Sequence, residues 1–412
     1  MYLYHNTEND LVINVEQIHF RQQIIQTFKQ RFSTYGYHEI YTPTFEAYDL
    51  YAHLNGTVNQ HEMIKTIDNT GKVLVLRPDI TIPITKLIAN SNQQLHEDLR
   101  YFYIQNVFRQ TAEHKEYREK TQAGVEYFGN NTPEADAEII ALAIGLMKDL
   151  QIDNFKIELG HAAFFEQTIQ HMQLNKDDLQ SLQQAIQAKN ITELEEILSR
   201  LAVASDIKEV VTSLPFLYGD PDHVIERAKR LPLNQAQRET LDNIRQIYDM
   251  LKAYGVAQHI VVDLSLINHM DYYSDMIFQG FIGKVGKPIL MGGRYNTLAK
   301  QFKADIPAIG FAFDLDLLLD GVNETLNFEL ERLDAIILFD KRQETKALTL
   351  ANELRLNDIR LVTYRQDTTK KQMPTAMFEI HITEEQIIMK KGTESIIYEN
   401  ITDILPALIE RR

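Results

Sequence analysis

The 412-residue chain contains no cysteine, which removes several kinds of site at once. Disulfide bonds, zinc sites built on thiolates and a cysteine nucleophile are excluded. The composition suits a reducing compartment, so we expect a cytoplasmic protein. No stretch of about 18 uncharged apolar residues occurs, so no membrane span is expected. Residues 1–10 are polar and include acids, unlike a signal peptide.

Positive charge is also in short supply. The 42 lysines and arginines face 58 acidic residues, which gives a net charge of −16. A broad nucleic-acid surface normally needs a basic face, and the dense basic groups at residues 227–230 and 390–391 are typical of a solvated surface. We therefore expect no nucleic-acid partner, although a local basic patch can bind RNA on an acidic protein.

Side chains that bind metals do not cluster. The 13 histidines are not grouped with acids at ligand spacing. His53, His61 and Glu62 form the nearest approach, and a surface loop explains them better than a metal site. The sequence also has no His-Glu-x-x-His, Gly-x-x-x-x-Gly-Lys or Gly-x-Ser-x-Gly motif. We predict neither a metal nor a cofactor.

Hydrophobic residues are numerous enough for a large core. They make up 44% of the chain, and its length suggests about two or three domains. Phe20, Ile24, Phe28 and Phe32 recur every fourth residue, which predicts one apolar helix face. A second helix is predicted to begin at Pro133, after a threonine cap.

Strand patterns occupy short segments of residues 1–325, which we interpret as one core. They lie at residues 37–42, 73–76, 99–108, 124–128, 154–159, 259–264, 276–282 and 287–291. Between the fifth and sixth of these strand segments, the residues from about 161 to 255 are rich in leucine and glutamine and have a helical period. This pattern predicts an inserted helical subdomain. Within it, Thr192 and Glu195 predict a capping box. Residues 326–412 read as a small α/β domain of their own.

Residues 264–273 read LSLINHMDYY. The string resembles the histidine-recognition motif of histidyl-tRNA synthetases, which runs Leu-Val-Arg-Gly-Leu-Asp-Tyr-Tyr. Asn268 stands where that family has its catalytic arginine, and His269 stands where it has glycine. Transfer of an activated acyl group past phosphate charges needs a fixed cation, which asparagine does not supply. The resemblance implies a pocket that still fits an amino acid but no longer catalyses the synthetase reaction.

Residues 76–81 read LRPDIT, where the same family carries Leu-Arg-Pro-Glu-Gly-Thr. Asp79 and Thr81 lie two apart, so on an extended chain they face one ligand together. In the family these side chains hold the α-amino group of the substrate, and a carboxylate suits an ammonium group. Taken alone, the string is explained equally well by a capped turn before a helix at Ile82.

The strings NVFR, which ends at Arg109, and QAGVE, from Gln122 to Glu126, resemble the second motif of the family. The resemblance implies that Arg109 bridges the amino-acid carboxylate and the ATP phosphate. It also implies that Gln122 and Glu126, four apart on one face of a strand, read the amino acid and its imidazole. Thr111 replaces the glutamate that holds the adenine.

Three tyrosines complete the resemblance. Tyr272, Tyr273 and Tyr295 match groups that line the imidazole pocket of the family, and an imidazole needs a donor, an acceptor and flat walls. Where the family ends with Gly-Leu-Glu-Arg-Leu, this chain reads DLDLL from Asp314. Leu317 replaces the arginine that grips the γ-phosphate, and two acids without a cation would repel a triphosphate.

The amino-acid half of the site is thus kept while the ATP half is eroded. Together with LPFLYGDP at residues 214–221, this combination is similar to the regulatory subunits of ATP phosphoribosyltransferase, synthetase paralogues of histidine biosynthesis. The resemblance implies an α+β fold, a class II aminoacyl-tRNA synthetase-like antiparallel sheet flanked by helices. It also implies a non-catalytic chain that forms homodimers through the core, activates the short-form catalytic subunit and senses L-histidine. The alternatives are a divergent histidyl-tRNA synthetase and an amino-acid sensor with another partner.

Overall fold

The computed structural model describes residues 15–52, 54, 58–91, 98–110, 118–170, 172, 174–201, 203–267, 272–283, 285–322, 333–366 and 373–411. Residues 1–10 lie outside this part, as do the individually named residues His53, Thr111, Asn268 and His269. The chain forms two compact units, Met1–Leu326 and Asn327–Arg412. Within the described ranges, no helix combines the length and the apolar character that a membrane crossing needs.

The first unit combines strands with helices and includes a helix-rich stretch between residues 162 and 253. Its strands are β1 (His38–Glu39), β2 (Phe45–Ala47), β3 (Lys65–Ile67), β4 (Val73–Leu76), β5 (Leu99–Phe108), β6 (Glu119–Phe128), β7 (Phe155–His161), β8 (Tyr218–Gly219), β9 (Ile260–Asp263), β10 (Met276–Ile282), β11 (Leu290–Arg294) and β12 (Ala308–Asp314). Its helices are α1 (Val15–Thr34), α2 (Asp49–Ala52), α3 (Thr81–Asn90), α4 (Pro133–Asp149), α5 (Ala162–Ile169), α6 (Lys176–Gln187), α7 (Ile191–Arg200), α8 (Ser205–Ser213), α9 (Pro221–Ala228), α10 (Gln235–Ala253) and α11 (Leu315–Val322).

A large sheet forms the centre of this unit. In the described part of the chain it has nine strands, in the order β1-β5-β6-β12-β11-β10-β7-β9-β8. The five consecutive pairings from β5 to β7 are antiparallel, as expected. Two other pairings are parallel, β1 with β5 and β7 with β9, so the sheet is mixed. A small separate sheet has the order β2-β4-β3.

Helix α1 packs its apolar face on this sheet, as the spacing of its phenylalanines predicts. Phe28 and Phe32 are fully buried. The ring of Phe28 lies 5.0 Å from that of Phe313 on β12, and the ring of Phe32 lies 5.2 Å from that of Phe102 on β5. Helix α4 starts at Pro133 as predicted, because the side chain of the preceding threonine caps it.

Strand β6 shows how this packing positions polar side chains. Ala123 and Val125 belong to the same buried core as the residues of α1 and α4. Side chains alternate between the two faces of a strand, so Gln122 and Glu126 lie on the opposite face. The helices therefore cover one face of the sheet and leave the polar residues of β6 to the other.

The strand expected over residues 37–42 is shorter than predicted and consists of β1 alone. Beyond it the amide of Ile40 still donates to the carbonyl of Phe102 at 2.9 Å. Side chains bind the carbonyls that follow, since Gln105 Nε2 donates to the carbonyl of Ile40 at 2.8 Å and Arg77 Nη1 donates to that of Thr42 at 2.5 Å. These two side chains fasten the segment to the neighbouring part of the core without extending the ladder.

Helices α5 to α10 follow one another with one short strand, β8, among them. Their interpretation as an inserted subdomain stays a prediction. The capping box expected at Thr192 is wrong. The cap of α7 is Asn190, whose side-chain oxygen accepts the amide hydrogen of Glu193 at 3.3 Å, so the helix begins at Ile191.

The second unit contains strands and helices in the α/β pattern that the sequence suggests. Its strands are β13 (Leu333–Phe339), β14 (Leu361–Arg365), β15 (Ala376–Ile382), β16 (Ile387–Lys391) and β17 (Glu394–Tyr398), and its helices are α12 (Glu344–Leu356) and α13 (Ile404–Arg411). The described strands form one sheet in the order β14-β13-β15-β16-β17. Ile337, Phe378, Leu350 and Leu408 contribute to a buried core within this unit.

Candidate ligand-binding site

A cavity of about 340 Å³ lies in the first unit, and all eight predicted site residues line it. They are Asp79, Thr81, Arg109, Gln122, Glu126, Tyr272, Tyr273 and Tyr295. They come from four parts of the fold: the start of α3, the hairpin of β5 and β6, the residues before β10 and the residue after β11. The volume suits a small molecule.

Glu126 is the most deeply buried acid of the cavity, with 1% of its surface exposed. Thr81 Oγ1 donates to Glu126 Oε1 at 2.6 Å, and the Tyr295 hydroxyl donates to the other carboxyl oxygen. Burial raises the pKa of Glu126 to about 8, against the opposing effect of these two donors. The carboxyl group therefore exchanges a proton near neutral pH, in the same range as an imidazole.

Asp79 and Arg109 form a charged pair beside it. Arg109 Nη2 lies 3.8 Å from Asp79 Oδ2, and Arg109 Nε donates to the carbonyl of Pro78 at 2.7 Å. Burial raises the pKa of Asp79, while Arg109 opposes the shift. Arg109 Nη2 is itself buried and makes no hydrogen bond with any described residue. A buried guanidinium donor of this kind suits a ligand carboxylate.

Asp79 also has a structural role that the sequence left open. Its Oδ1 accepts the amide hydrogen of Ile82 at 2.8 Å, in the first turn of α3. The capped-turn interpretation of the LRPDIT string is therefore correct, and it coexists with the position of Asp79 in the cavity wall. The helix start fixes the carboxylate where a ligand can reach it.

The three tyrosines form an aromatic wall. The ring centroid of Tyr272 lies 4.8 Å from that of Tyr273 and 5.9 Å from that of Tyr295, the second pair meeting edge to face. Burial raises the pKa of all three phenols, so they stay neutral at physiological pH. Such a wall supplies flat apolar surfaces together with hydroxyl groups.

Two glycines allow the sheet to approach these side chains closely. A Cβ atom on Gly310 would lie 2.1 Å from Glu126 Oε2, on the strand that pairs with β6. A Cβ atom on Gly293 would lie 2.7 Å from the ring of Tyr273. Any larger residue at either position would displace a group of the cavity wall.

The cavity has lining residues that the sequence did not single out, including Tyr103, Lys120 and Lys287. Tyr103 pairs with Gly124, which lies between Gln122 and Glu126 on the same face of β6. The strand register would have predicted this position, because directly paired residues share a face. Lys120 precedes Gln122 by two residues, so the same alternation would have included it.

The acids of the DLDLL string are not uncompensated, so that part of the sequence interpretation is wrong. Lys120 Nζ lies 3.0 Å from Asp314 Oδ2, and Arg21 Nη1 lies 3.0 Å from Asp316 Oδ1. Asp314 Oδ1 also accepts the amide hydrogen of Leu317 at 3.0 Å and thereby holds the start of α11. The Leu317 side chain lines the cavity.

Comparison with known proteins identifies the family. The histidyl-tRNA synthetase family model matches residues 13–318. The chain is 38% identical to the ATP phosphoribosyltransferase regulatory subunit of Oceanobacillus iheyensis, over 95% of this chain and 96% of that protein. It is 32% identical to the protein of the same name from Ruminiclostridium cellulolyticum, over 85% of this chain and 84% of that protein.

Comparison with solved structures finds proteins with the same fold. A crystal structure described as an ATP phosphoribosyltransferase regulatory subunit/histidyl-tRNA synthetase from Bacillus halodurans matches with a TM-score of 0.77 and 28% identity, over 90% of this chain and 95% of that one. Histidyl-tRNA synthetase from Nostoc sp. PCC 7120 has the same fold, with a TM-score of 0.77 and 17% identity over 96% of each chain. These matches confirm the class II synthetase-like fold. The chain therefore belongs to the ATP phosphoribosyltransferase regulatory subunit family and contains a histidyl-tRNA synthetase-type domain.

Proposed function

We propose that this chain is the non-catalytic regulatory subunit of an ATP phosphoribosyltransferase, that it activates the short-form catalytic subunit, and that free histidine binds in its cavity as the feedback signal. The catalytic subunit would condense ATP with phosphoribosyl pyrophosphate. The observation that supports the proposal most strongly is a cavity with groups suited to each part of a histidine molecule. Membership of the family supports the choice of partner.

Each part of histidine has a chemically matched group in the cavity wall. Arg109 offers a buried donor for the α-carboxylate, and Asp79 offers a carboxylate for the α-ammonium group. Glu126 offers a carboxyl group whose pKa of about 8 lets it share a proton with an imidazole nitrogen. Tyr272 and Tyr273 provide apolar ring faces that suit a flat heterocycle.

We infer the loss of catalysis from two positions at which, according to the resemblance, the family carries arginines needed for the reaction with ATP. Leu317 occupies the position of the arginine that grips the γ-phosphate, and Asn268 occupies that of the catalytic arginine. Transition-state stabilisation in phosphate and acyl transfer depends on fixed cations, each of which contributes several kcal/mol. Lys120, which lines the cavity, is paired with Asp314 and does not replace them. We therefore infer that histidine is bound without being activated.

We also propose that the chain forms homodimers through its core. Tyr41 and Phe45, on either side of Pro43, are 69% and 56% exposed in the single chain. Large apolar side chains exposed close together on a surface are typical of an interface. Feedback through such an assembly needs a coupling free energy of about 1–3 kcal/mol between histidine binding and the state of the catalytic subunit. Histidine must then favour one of two arrangements of the complex.

The direct test adds this chain to a short-form catalytic subunit and measures formation of phosphoribosyl-ATP with and without histidine. Activation that histidine suppresses is the expected result. Activation without sensitivity to histidine would keep the subunit role and refute histidine sensing. No activation of a cognate partner would refute the regulatory role, and histidine-dependent ATP–pyrophosphate exchange would then favour a divergent synthetase.

A pair of arginine variants makes this test specific to the cavity. Arg109→Gln removes the buried donor, so it should still activate the catalytic subunit while losing about tenfold or more in sensitivity to histidine. Arg118→Gln is the matched control, because Arg118 lies nearby along the chain but is exposed and outside the cavity wall. Equal sensitivity of both variants to histidine would refute the assignment of the site.

A further inference from the structure

A polar cluster lies directly behind the aromatic wall of the cavity. Ser274 and Asp275 follow Tyr273 in the chain, and Asn296 follows Tyr295. We propose that Ser274, Asp275 and Asn296, which we call the clasp, position the two tyrosine-bearing segments and thereby set the affinity of the cavity for its ligand. The identity of that ligand rests on the proposed function, whereas the clasp is defined by contacts within the chain.

The three side chains of the clasp are mutually hydrogen-bonded. Ser274 Oγ donates to Asp275 Oδ2 at 2.6 Å, and Asn296 Nδ2 donates to the same oxygen at 3.0 Å. The backbone amide of Asn296 donates to Ser274 Oγ at 3.1 Å. Each residue therefore contacts the other two, and the segment before β10 is closed onto the segment after β11.

Hydrogen bonds to backbone carbonyls hold the same two segments on both sides of the clasp. The amide of Ser274 donates to the carbonyl of Arg294 at 2.8 Å. Thr297 Oγ1 donates to the carbonyl of Tyr272 at 3.4 Å. The clasp adds contacts between side chains to this closure, and its fixed geometry depends on one carboxylate facing one amide.

The clasp is also fastened to the rest of the first unit. Asn296 Oδ1 accepts the amide hydrogen of Ala308 at 3.1 Å, at the start of β12. The carbonyl of Asp275 accepts the amide hydrogen of Ala162 at 2.8 Å, at the start of α5. A movement of the segment before β10 would therefore break the contact to α5, and a movement of the segment after β11 would break the contact to β12.

Closure of these segments matters for binding because their tyrosines meet inside the cavity. The rings of Tyr272 and Tyr295 are in edge-to-face contact, and the hydroxyl of Tyr295 holds Glu126. A wall fixed before the ligand arrives does not have to be ordered on binding, which improves affinity. Side chains in a binding site need such support from behind to keep their geometry. The clasp residues are thus positioning residues, which act on the ligand through the tyrosines.

The test exchanges the amide and the carboxylate of the clasp in two steps. Asn296→Asp keeps an acceptor for the Ala308 amide but places a second carboxylate against Asp275. We expect the histidine dissociation constant, measured by calorimetry, to rise about tenfold or more. Asp275→Asn added to this variant restores one amide facing one carboxylate, so affinity should return to within about threefold of the wild type.

A second readout needs no ligand. In protein labelled with 3-fluorotyrosine, the ¹⁹F resonances of Tyr273 and Tyr295 should shift or broaden in Asn296→Asp and recover in the double variant. Asn131→Ala is the matched control, because it removes the exposed partner that Asn296 Nδ2 contacts at 3.1 Å and leaves the clasp intact. Its resonances and its histidine affinity should equal those of the wild type.

The possible outcomes separate the clasp from the proposed ligand. Unchanged affinity and unchanged resonances in a folded Asn296→Asp variant would refute the clasp, as would failure of the double variant to recover. Should Asn296→Asp not fold, as thermal unfolding would reveal, Ser274→Ala gives the same readouts with a smaller expected effect of about threefold. Wild-type protein that binds no histidine would refute the proposed ligand, and the fluorine resonances would still decide the role of the clasp.

Discussion

Thr81 donates its hydroxyl hydrogen to Glu126 across 2.6 Å and so joins two parts of the chain that are 45 residues apart. The contact ties the first residue of α3 to strand β6 of the large sheet. Asp79 lies two residues before Thr81, so its carboxylate is held at a fixed place relative to that of Glu126. The cavity is therefore organised by the chain before any ligand arrives, which favours a function in binding.

Replacing the donor in this contact should weaken both the fold and the site. Thr81→Val keeps the shape of the side chain but leaves a buried carboxyl oxygen without a partner. We expect a loss of about 1–2 kcal/mol in the free energy of unfolding and a histidine affinity weaker by about tenfold. Denaturant unfolding and calorimetry measure these quantities. Thr81→Ser retains the hydroxyl and should bind histidine within about threefold of the wild type, and a valine variant that binds equally well would contradict the role of the hydroxyl.

Gly310 is the position where one added carbon should disturb the site most. In Gly310→Ala the new Cβ would meet Glu126 Oε2 at 2.1 Å and the carbonyl oxygen of Val125 at 2.4 Å. We expect a loss of about 3 kcal/mol in unfolding free energy, together with loss of histidine binding. Gly286→Ala is the control, because no other atom lies within 4 Å of its Cβ position, and it should change stability by less than about 0.5 kcal/mol. Similar effects of both substitutions would rule out the steric explanation.

The origin of these contacts explains how much of the site was predictable. Alternation along a strand places Gln122 and Glu126 on one face from the sequence alone. No spacing rule brings Thr81 to Glu126, and the resemblance to a known family supplied that proximity. Lys120 and Asp314, which are 194 residues apart, were not expected to pair. Their contact depends on the register between β6 and β12, which a single sequence does not encode in any local pattern.

The two elements that were mispredicted have different physical causes. Local propensity favoured a strand over residues 37–42 and a cap at Thr192. In the fold, long-range side-chain bonds from Gln105 hold the first segment, and Asn190 caps α7 two residues before the predicted position. Asparagine is among the strongest caps, so Asn190 itself marks the start of α7 in the sequence. The histidine-binding role of the eight cavity residues stays a prediction.

A buried ion pair anchors the residue that precedes Tyr295. Arg294 Nε donates to Asp136 Oδ1 at 2.9 Å, and both side chains are buried. Asp136→Asn leaves a buried guanidinium without its counter-charge, so we expect a loss of about 3–5 kcal/mol in the free energy of unfolding. Glu39→Gln is the control, since Glu39 pairs with Lys29 at the surface, and it should cost less than about 1 kcal/mol. Equal losses in urea unfolding would contradict the importance of burial.

Glu46 should make stability depend on pH. Burial raises its pKa to about 7 from an ordinary value of 4.5, although the hydroxyl of Tyr51 and the charge of Arg77 oppose the shift. The folded state therefore binds the extra proton, so this contribution is complete below about pH 4.5 and is lost as the pH rises through about 7. Glu46→Gln mimics the protonated form. We expect it to exceed the wild type by about 2 kcal/mol in unfolding free energy at pH 8.

Urea unfolding at pH 5 and pH 8 checks the sign of this effect. The advantage of Glu46→Gln over the wild type should be small at pH 5 and large at pH 8. Tyr51→Phe removes the donor to Glu46, so the pKa of Glu46 should rise further and the pH dependence should become steeper. A Glu46→Gln variant with the same pH dependence as the wild type would show that Glu46 is not the titrating group.

Restoring the two missing arginines should not restore synthetase chemistry. Leu317→Arg combined with Asn268→Arg returns both cations that the resemblance marks as lost. Thr111 would still replace the glutamate to which the resemblance assigns the adenine contact, and Lys120 would still be paired with Asp314 at the cavity. Charge alone, without a positioned nucleotide, gives little rate enhancement, because electrostatic stabilisation depends on aligned groups. We expect no histidine-dependent ATP–pyrophosphate exchange above the wild-type background. Measurable exchange by the double variant would mean that the ATP half of the site is more complete than we infer.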